Sequence, residues 1–314
     1  MFILNQDKGL PLVTIIVPCY NHEKYVETCL DSIFRQTYKN IEVIVVDDFS
    51  PDNSAQIIEE LNKKYDFKFI KHTENWGLAK TLNDIIYNYS SGKYIKCIAS
   101  DDYLTNDCVK VLTTKIEEIG NEYAFVYGKA QLFKYNELTK KNQTVGVIGC
   151  NTTFINLYCQ RENLIPAMSV LFNRDKFILS GGFDLCSYIE DFYMWLTLSS
   201  QYKFSFIDEV VANYRVDTLL SMSKNNVKMR SSIIYILTKI YSQNMSVISS
   251  ELYIYEVNRQ LVIYEENELY NLLRNKKQIT SLKKYIFNLY SFIKYRRIRL
   301  LVTFFPKLLI SYFK

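Results

Sequence analysis

The first 120 residues alternate between short apolar runs and segments with apolar residues at helical spacing. The runs LVTIIVP (12–18), IEVIVVDD (41–48), FKFIKH and KYIKCIASDD have the length of strands. The segments KYVETCLDSIFRQT, SAQIIEELNKKY and LAKTLNDIIYNY between them place apolar residues every three or four positions. Strands that are apolar on both faces and joined by helices predict a parallel sheet with helices on both sides.

The pattern becomes less regular after residue 120. EYAFVYG and QLFKY predict strands of a mixed extension, and NRDKFILSGGFD predicts a short helix followed by a glycine turn. EDFYMWLTLSSQ predicts a helix, KFSFIDEVVANYR one or two strands, and the chain reads as helical from about residue 225. We therefore expect an α/β fold with a mixed, mainly parallel sheet over residues 1–224 and a helical extension over residues 225–314.

Paired aspartates end two of the predicted strands, as Asp47-Asp48 and Asp101-Asp102. Ligands of parallel α/β sheets bind outside the carboxyl ends of the strands. Because side chains alternate along a strand, only one carboxylate of each pair should point into a given site. Carboxylates there suit Mg²⁺ or Mn²⁺, ribose hydroxyls or the imide N–H of a base. Lys80, just inside the helix after ENWG, adds positive charge for a phosphate at a helix N-terminus.

Composition narrows the functional classes. The 314 residues are 48% hydrophobic and 23% charged, as in ordinary folded domains. Seven scattered cysteines without a Cys-x-x-Cys pair predict reduced thiols in a cytosolic protein, and two histidines make a zinc site unexpected. The N-terminal segment lacks the features of a signal peptide, and no run reaches the roughly eighteen apolar residues of a membrane span.

The charge is unevenly distributed along the chain. The net charge is +5, but Arg274–Lys314 holds eleven Lys and Arg and no acidic residue. This segment interleaves basic and aromatic residues, which predicts peripheral contact with the inner leaflet of the cytoplasmic membrane. A helical hairpin packed on the catalytic domain or on a second subunit is the alternative, so a dimer is left open. No other feature predicts binding to nucleic acid.

Several motifs in order resemble the family 2 glycosyltransferases of GT-A fold. The segment VTIIVPCYNHEKYVETCLDSIFRQTYKNIEVIVVDDFSPDNS resembles the opening of that family. NWGLAKTLN is similar to its Asn-x-Gly segment, IASDDYL to its metal-binding Asp-x-Asp-type site, and GGFD…YIEDFYMWL to the segment with the catalytic base. The resemblance covers about residues 12–223. It implies a GT-A (Rossmann-like) fold with a nucleotide-binding half at about 12–120 and an acceptor half at about 121–224.

The resemblance also implies roles for individual residues. The nucleotide pocket would include Pro18, Tyr20, Asn21, Glu23, Asp47, Asp48, Asn75, Gly77, Lys80, Ser100 and Asp101. Asp47 or Asp48 would accept a hydrogen bond from the uracil imide, and Asp102 would bind Mn²⁺ or Mg²⁺.

Asp191 would be the general base that deprotonates the acceptor hydroxyl. Glu190 lies about 100° away around the same helix, so only one of the two can face the sugar well. On the acceptor side, Trp195 either stacks on a sugar ring or packs in the core. Arg215 is a further candidate, from a segment resembling the family's late Tyr-Arg-x-His. Two residues depart from the family pattern, because Lys80 replaces an Arg and Asp217 replaces that His.

The function implied is an inverting, metal-dependent transfer of a sugar from a UDP-sugar to a glycan. The acceptor expected is a polyprenyl-diphosphate-linked oligosaccharide of O-antigen or capsule synthesis, used at the inner face of the cytoplasmic membrane. Transfer to polyprenyl phosphate itself and a non-catalytic nucleotide-binding module remain alternatives. A sugar nucleotidyltransferase and a dinucleotide-dependent dehydrogenase are disfavoured, because PCYNHEKY has no glycine-rich loop.

Overall fold

The first strand, β1 (Val13–Cys19), is buried along its whole length except at Pro18, which is half-buried. It lies between two parallel neighbours, and its pairing with the second of them ends at Ile16. Pro18 therefore falls beyond that pairing, where its missing N–H removes no bond from the ladder. The apolar run of the sequence thus forms a central strand. Its last residues extend beyond the pairing with β4 and face neighbouring loops on that side.

The computed structural model describes residues 9–136, 141–159, 164–216 and 226–274. The strands after β1 are β2 (Ile41–Asp47), β3 (Lys68–Lys71), β4 (Tyr94–Cys97), β5 (Tyr103–Leu104), β6 (Tyr123–Asn136), β7 (Lys141–Ile148), β8 (Val170–Asn173) and β9 (Lys203–Arg215). The helices are α1 (Val26–Phe34), α2 (Ser54–Tyr65), α3 (Leu78–Asn88), α4 (Cys108–Ile119), α5 (Phe154–Tyr158), α6 (Arg174–Leu179), α7 (Glu190–Gln201), α8 (Asn226–Gln243) and α9 (Ser250–Arg274). A 3₁₀ turn, Ala167–Ser169, precedes β8.

The described strands form one mixed sheet in the order β3-β2-β1-β4-β8-β6-β9-β5, with β7 added alongside β6. The first four strands of this order are parallel, as the βαβ pattern predicts. Strand β8 is antiparallel to both of its neighbours, and β6 runs parallel to β9. The predicted strands EYAFVYG and QLFKY are one continuous strand, β6. The predicted mixed, mainly parallel sheet is thereby confirmed.

Helices cover both faces of the parallel half. Alternate residues of β1 and β2 pack with the apolar faces of α1, α2 and α4 in one buried cluster. Helix α3 contacts β1, and its residues Leu82, Ile85 and Ile86 are buried. Because all four strands point the same way, their carboxyl ends open on a common edge. The aspartate pairs that follow β2 and β4 are therefore carried to the same edge of the sheet.

The chain divides into two compact units. The first contains residues 1–186 and 190–221, and the second contains residues 187–189 and 222–314. Within the second unit, α8 packs on α9: Tyr241 stacks on Tyr253, with ring centroids 4.3 Å apart, and Arg230 Nη1 donates to Gln260 Oε1 at 2.8 Å. The basic segment 275–314 and Asp217 lie outside the described residues. Among the helices described, none has the length and apolar character needed to cross a bilayer.

Candidate active site

Asp48, just after β2, organises the loop that leads into α3. Its Oδ1 accepts from the backbone N–H of Trp76 at 2.9 Å and contacts Nδ1 of His72 at 2.7 Å. Its Oδ2 accepts from the backbone N–H of Gly77 at 2.9 Å. The residue is 5% exposed. Both carboxylate oxygens are thus occupied by the protein, and the role that remains for Asp48 is to hold this loop in place.

We expect Asp48→Asn to lower the free energy of unfolding by about 2–3 kcal/mol, because the new amide turns an N–H₂ group toward one of these donors. Thermal or denaturant unfolding measures the loss. Asp47→Asn is the matched control, since its amide retains an oxygen for Ser50 and this variant should unfold near the wild-type midpoint. Equal destabilisation by both substitutions would contradict this division of roles.

Asp47, the last residue of β2, has a different environment. Its Oδ2 accepts from the backbone N–H of Ser50 at 3.0 Å, whereas its Oδ1 is buried and accepts no hydrogen bond from the residues that the structure describes. The residue is 1% exposed. An unsatisfied buried carboxylate oxygen costs free energy, so natural proteins seldom keep one without a function. Asp47 therefore offers a ready acceptor for a ligand N–H at the carboxyl end of the sheet.

The start of α3 lies beside the Asp48 loop. Gly77 adopts φ +79°, a backbone conformation that glycine accepts without strain, and places its N–H on Asp48. Lys80 is exposed, and its Nζ lies 4.2 Å from the centroid of the Trp76 ring. Trp76 in turn packs on His72, with centroids 4.1 Å apart. The indole thus supports a cation at a helix N-terminus, an arrangement suited to an anionic ligand.

Asp102, the metal ligand predicted from the sequence, is buried in the structure. It is 2% exposed, and its Oδ1 accepts from the backbone N–H of Arg215 at 2.9 Å. Burial and the neighbouring Asp101 raise the pKa of its carboxyl well above the usual range, which favours the neutral form. With Oδ1 engaged by the N–H of Arg215, Asp102 is less accessible to a ligand than the partly exposed Asp101. The side chain instead joins the β4–β5 turn to the end of β9.

Arg215 completes this junction. Its guanidinium lies between the rings of Tyr25 and Phe133, at 4.4 and 4.6 Å from their centroids. Its Nε donates to the carbonyl oxygen of Asp101 at 3.2 Å. Because Arg215 is 7% exposed, its contribution to the site is to fix the backbone that carries Asp101.

Asp101 is the member of the second pair that reaches the open edge. Its side chain is 13% exposed, and its Oδ2 lies 3.9 Å from Nε2 of His22. The other ring nitrogen of His22, Nδ1, is 2.8 Å from Oγ of the fully buried Ser100. His22 was not among the site residues predicted from the sequence, where its only signal is its position directly after the Pro-x-Tyr-Asn motif.

The loop after β1 contains the remaining residues of the predicted pocket. Tyr20 is 45% exposed, and Asn21 adopts φ +58° while its N–H donates to Oγ of Ser50. Glu23 is used within the protein, since its Oε2 accepts from both the backbone and the side chain of Asn53. Asn75 is exposed. The structure therefore leaves Tyr20 and Asn75 open to a ligand and engages Glu23 in a loop contact.

Glu190 and Asp191 are the first residues of α7. Burial raises the pKa of Glu190 to about 8, with a further contribution from Asp191. Burial also raises the pKa of Asp191. The backbone N–H of Phe192 donates to Asp191 Oδ1 at 2.6 Å, and this hydrogen bond partly offsets the rise. Burial raises the pKa of the thiol of Cys97, the last residue of β4, and the charge of Glu190 is close enough to raise it further.

Trp195 packs in the core, which is one of the two alternatives that the sequence left open. It is 4% exposed and packs on Phe172 and Phe125, with ring centroids 5.3 and 5.6 Å away. Helix α7 is enclosed on all sides here, since Phe192 to Leu198 are all buried. An indole enclosed by aromatic side chains has no face left for a sugar ring.

The side chains at this edge of the sheet could hold a divalent cation only together with oxygen atoms of a bound ligand or water. Among the described residues, no group of three or more His, Cys, Asp or Glu side chains is placed to hold a metal ion. Mg²⁺ and Mn²⁺ are commonly held by one or two protein side chains together with substrate phosphates and water. Asp101, a partly exposed carboxylate beside an imidazole, matches that chemistry.

The sequence model of Glycosyl transferase family 2 matches residues 14–178. Glycosyltransferase GlyA of Streptococcus pneumoniae serotype 4 is 42% identical over 119 residues, covering 36% of this chain and 17% of GlyA. Uncharacterized glycosyltransferase EpsJ of Bacillus subtilis is 32% identical over 199 residues, covering 58% of this chain and 57% of EpsJ. Poly-beta-1,6-N-acetyl-D-glucosamine synthase of Staphylococcus epidermidis is 27% identical over 153 residues, covering 48% and 37%. In each of these three comparisons the matched region is less than two thirds of the relative's length.

Two solved structures share the fold. TarS 1–349 of S. aureus in complex with UDP-GlcNAc superposes with a TM-score of 0.60 at 18% identity, covering 79% of this chain and 71% of TarS 1–349. Mannosyltransferase PcManGT of Pyrobaculum calidifontis, in complex with GDP-Man and Mn²⁺, gives 0.56 at 15% identity, covering 81% and 74%. These likenesses confirm the predicted GT-A fold.

Proposed function

This chain belongs to glycosyltransferase family 2, and we propose that it transfers a sugar from a UDP-sugar to a hydroxyl of a glycan acceptor. The observation that carries the proposal is the buried Oδ1 of Asp47 at the carboxyl end of β2, which has no hydrogen-bond partner within the described part of the chain. The imide N–H of uracil is a donor that such an oxygen would accept. Cytosine has no imide N–H, so Asp47 would also discriminate between pyrimidines.

The rest of the donor would extend from Asp47 toward α3 and Asp101. Tyr20 and Asn75 are exposed beside the base, and Lys80 stands at the α3 N-terminus, where an anion is stabilised. TarS was solved with UDP-GlcNAc and PcManGT with GDP-Man, so enzymes of this fold take nucleotide diphosphate sugars. For this chain we favour a uridine nucleotide because uracil presents one imide N–H to Asp47 Oδ1, whereas guanine presents N1–H and N2–H₂ side by side and Asp47 Oδ2 already accepts from Ser50.

Asp101 is the residue we assign to Mn²⁺ or Mg²⁺, in place of Asp102. When bound, the cation would supply positive charge that stabilises the departing diphosphate. The protein's part is to hold Asp101 in position, through the Arg215 Nε bond to its carbonyl and the contact of its carboxylate with His22. Lys80 would contribute a second positive charge from the α3 side.

Asp191 is the base we assign to the acceptor hydroxyl. A carboxylate accepts the proton as the hydroxyl oxygen attacks the anomeric carbon from the face opposite the diphosphate, which inverts the configuration. Glu190 suits this role less, because its pKa of about 8 leaves it mostly protonated at neutral pH. Burial raises the pKa of Asp191, which makes its carboxylate a stronger base toward the hydroxyl proton.

The acceptor we propose is a lipid-linked oligosaccharide of a surface polysaccharide. The support is the similarity to a poly-N-acetylglucosamine synthase and the basic, aromatic-rich sequence after residue 274. Transfer to polyprenyl phosphate is a second candidate, favoured by the same basic sequence. Polyprenyl phosphate and a lipid-linked glycan are offered together in one assay. The acceptor that receives the sugar distinguishes the two candidates.

A donor screen tests the proposal. Release of UDP from a panel of UDP-sugars is measured with a lipid-diphosphate glycan acceptor, with and without EDTA. We expect acceptor-dependent release that EDTA abolishes and that added Mn²⁺ restores. Nucleotide release from GDP- or CMP-sugars at the same rate as from UDP-sugars would overturn the assignment of Asp47. A release rate that EDTA does not change would overturn the assignment of Asp101.

A further inference from the structure

We propose that His22 is a second protein ligand of the divalent cation, with Nε2 binding beside the carboxylate of Asp101. The inference rests on the proposed function, because the cation is the one assigned to the nucleotide diphosphate. It adds a residue of the β1–α1 loop to a site otherwise built from the turn after β4.

The spacing of the two donor atoms supports this role. Nε2 of His22 lies 3.9 Å from Oδ2 of Asp101. Two donors bound to one ion at about 2.1 Å each are about 3.0 to 4.2 Å apart, depending on the angle between them. The observed distance is too long for a direct hydrogen bond and falls within this range, so one ion between the atoms requires no large movement.

The other ring nitrogen is held as in known metal-binding histidines. Nδ1 is 2.8 Å from Oγ of Ser100, which is fully buried, and the backbone N–H of His22 donates to Oγ of Ser54. A hydrogen bond at the distal nitrogen orients the ring and fixes the nitrogen that faces the metal. Ser100 therefore aims Nε2 toward Asp101.

This donor set predicts a preference among metals. Mg²⁺ is small, dehydrates reluctantly and is bound through oxygen ligands, so an imidazole nitrogen in the donor set disfavours Mg²⁺ relative to Mn²⁺. We therefore expect tighter binding of Mn²⁺ than of Mg²⁺ in the presence of UDP. The remaining positions would be filled by diphosphate oxygens and water.

Pulsed electron paramagnetic resonance of Mn²⁺ tests the proposal directly. The tag-free full chain has two histidines, so labelling with ¹⁵N-histidine reports on His22 and His72 alone. In the Mn²⁺–UDP complex, electron spin echo envelope modulation should show directly bound nitrogen whose coupling changes with ¹⁵N labelling. Absence of that coupling in the wild-type protein would overturn the role of His22.

Two variants identify the histidine. His22→Asn retains an amide near Ser100 but removes Nε2, and it should abolish the coupling and weaken Mn²⁺ binding at least about tenfold. His72→Asn is the matched control and should keep the coupling. A coupling that survives in His22→Asn would refute the assignment. Calorimetric titration with UDP in the same samples shows separately whether the nucleotide site exists. UDP binding without nitrogen coupling would refute only the role of His22, whereas absence of UDP binding would refute the proposed function.

Discussion

Asp191→Asn is expected to reduce sugar transfer by about 10²–10⁴-fold while leaving the affinity for UDP near its wild-type value. The amide is similar in size and shape but cannot take the proton from the acceptor hydroxyl. The backbone N–H of Phe192 still finds an oxygen in the substituted side chain, so α7 should begin unchanged. Single-turnover transfer and calorimetric binding of UDP measure the two quantities separately.

Glu190→Gln provides the matched control for Asp191. Glu190 is mostly protonated at neutral pH, so a neutral amide resembles its resting state and the loss of rate should be much smaller. A larger loss in Glu190→Gln than in Asp191→Asn would reverse the two roles.

The pH profile of the wild-type enzyme gives a further control. The base must be deprotonated, and burial raises the pKa of Asp191, so kcat should fall with acid at a higher pH than an exposed aspartate would produce. Asp191→Asn should lose this acid limb together with the rate.

Asp101→Asn is expected to remove the response to divalent cations and to lower kcat/KM by about 10³-fold, equivalent to about 4 kcal/mol. An amide oxygen is a much weaker ligand than a carboxylate, so the charge on the departing diphosphate would be less well stabilised. Titration of Mn²⁺ against transfer rate, and of Mn²⁺ against UDP affinity, reports the loss.

Asp102→Asn is the adjacent control. Its carbonyl oxygen can still accept from the N–H of Arg215, and burial already favours the neutral form of Asp102. We expect Asp102→Asn to keep its dependence on Mn²⁺. If Asp102→Asn lost the metal response and Asp101→Asn kept it, the original assignment from the sequence would be restored.

The sequence was sufficient to predict the sheet and to carry both aspartate pairs to one of its edges. Apolar runs of strand length, joined by amphipathic helices, leave few arrangements other than a parallel sheet, and the βαβ rule then carries both aspartate pairs to one edge. The rule that side chains alternate also predicted that one member of each pair would face the site. The structure gives the two members of each pair different environments.

Which member faces the site depends on contacts that are distant in sequence. Asp102 is buried because the N–H of Arg215, 113 residues later, reaches its carboxylate. Asp48 is occupied by donors 24 to 29 residues away. Trp195 was ambiguous for the same reason, because its aromatic neighbours come from β6 and β8. Local spacing contains no information on these partners.

A crystal structure of the full chain with UDP and Mn²⁺ tests the central assignment most directly. It should place the uracil N3–H within hydrogen-bonding distance of Asp47 Oδ1, and the ion about 2.1 Å from a carboxylate oxygen of Asp101. A nucleotide bound elsewhere, with Oδ1 of Asp47 still unpartnered and the ion away from Asp101, would contradict the account.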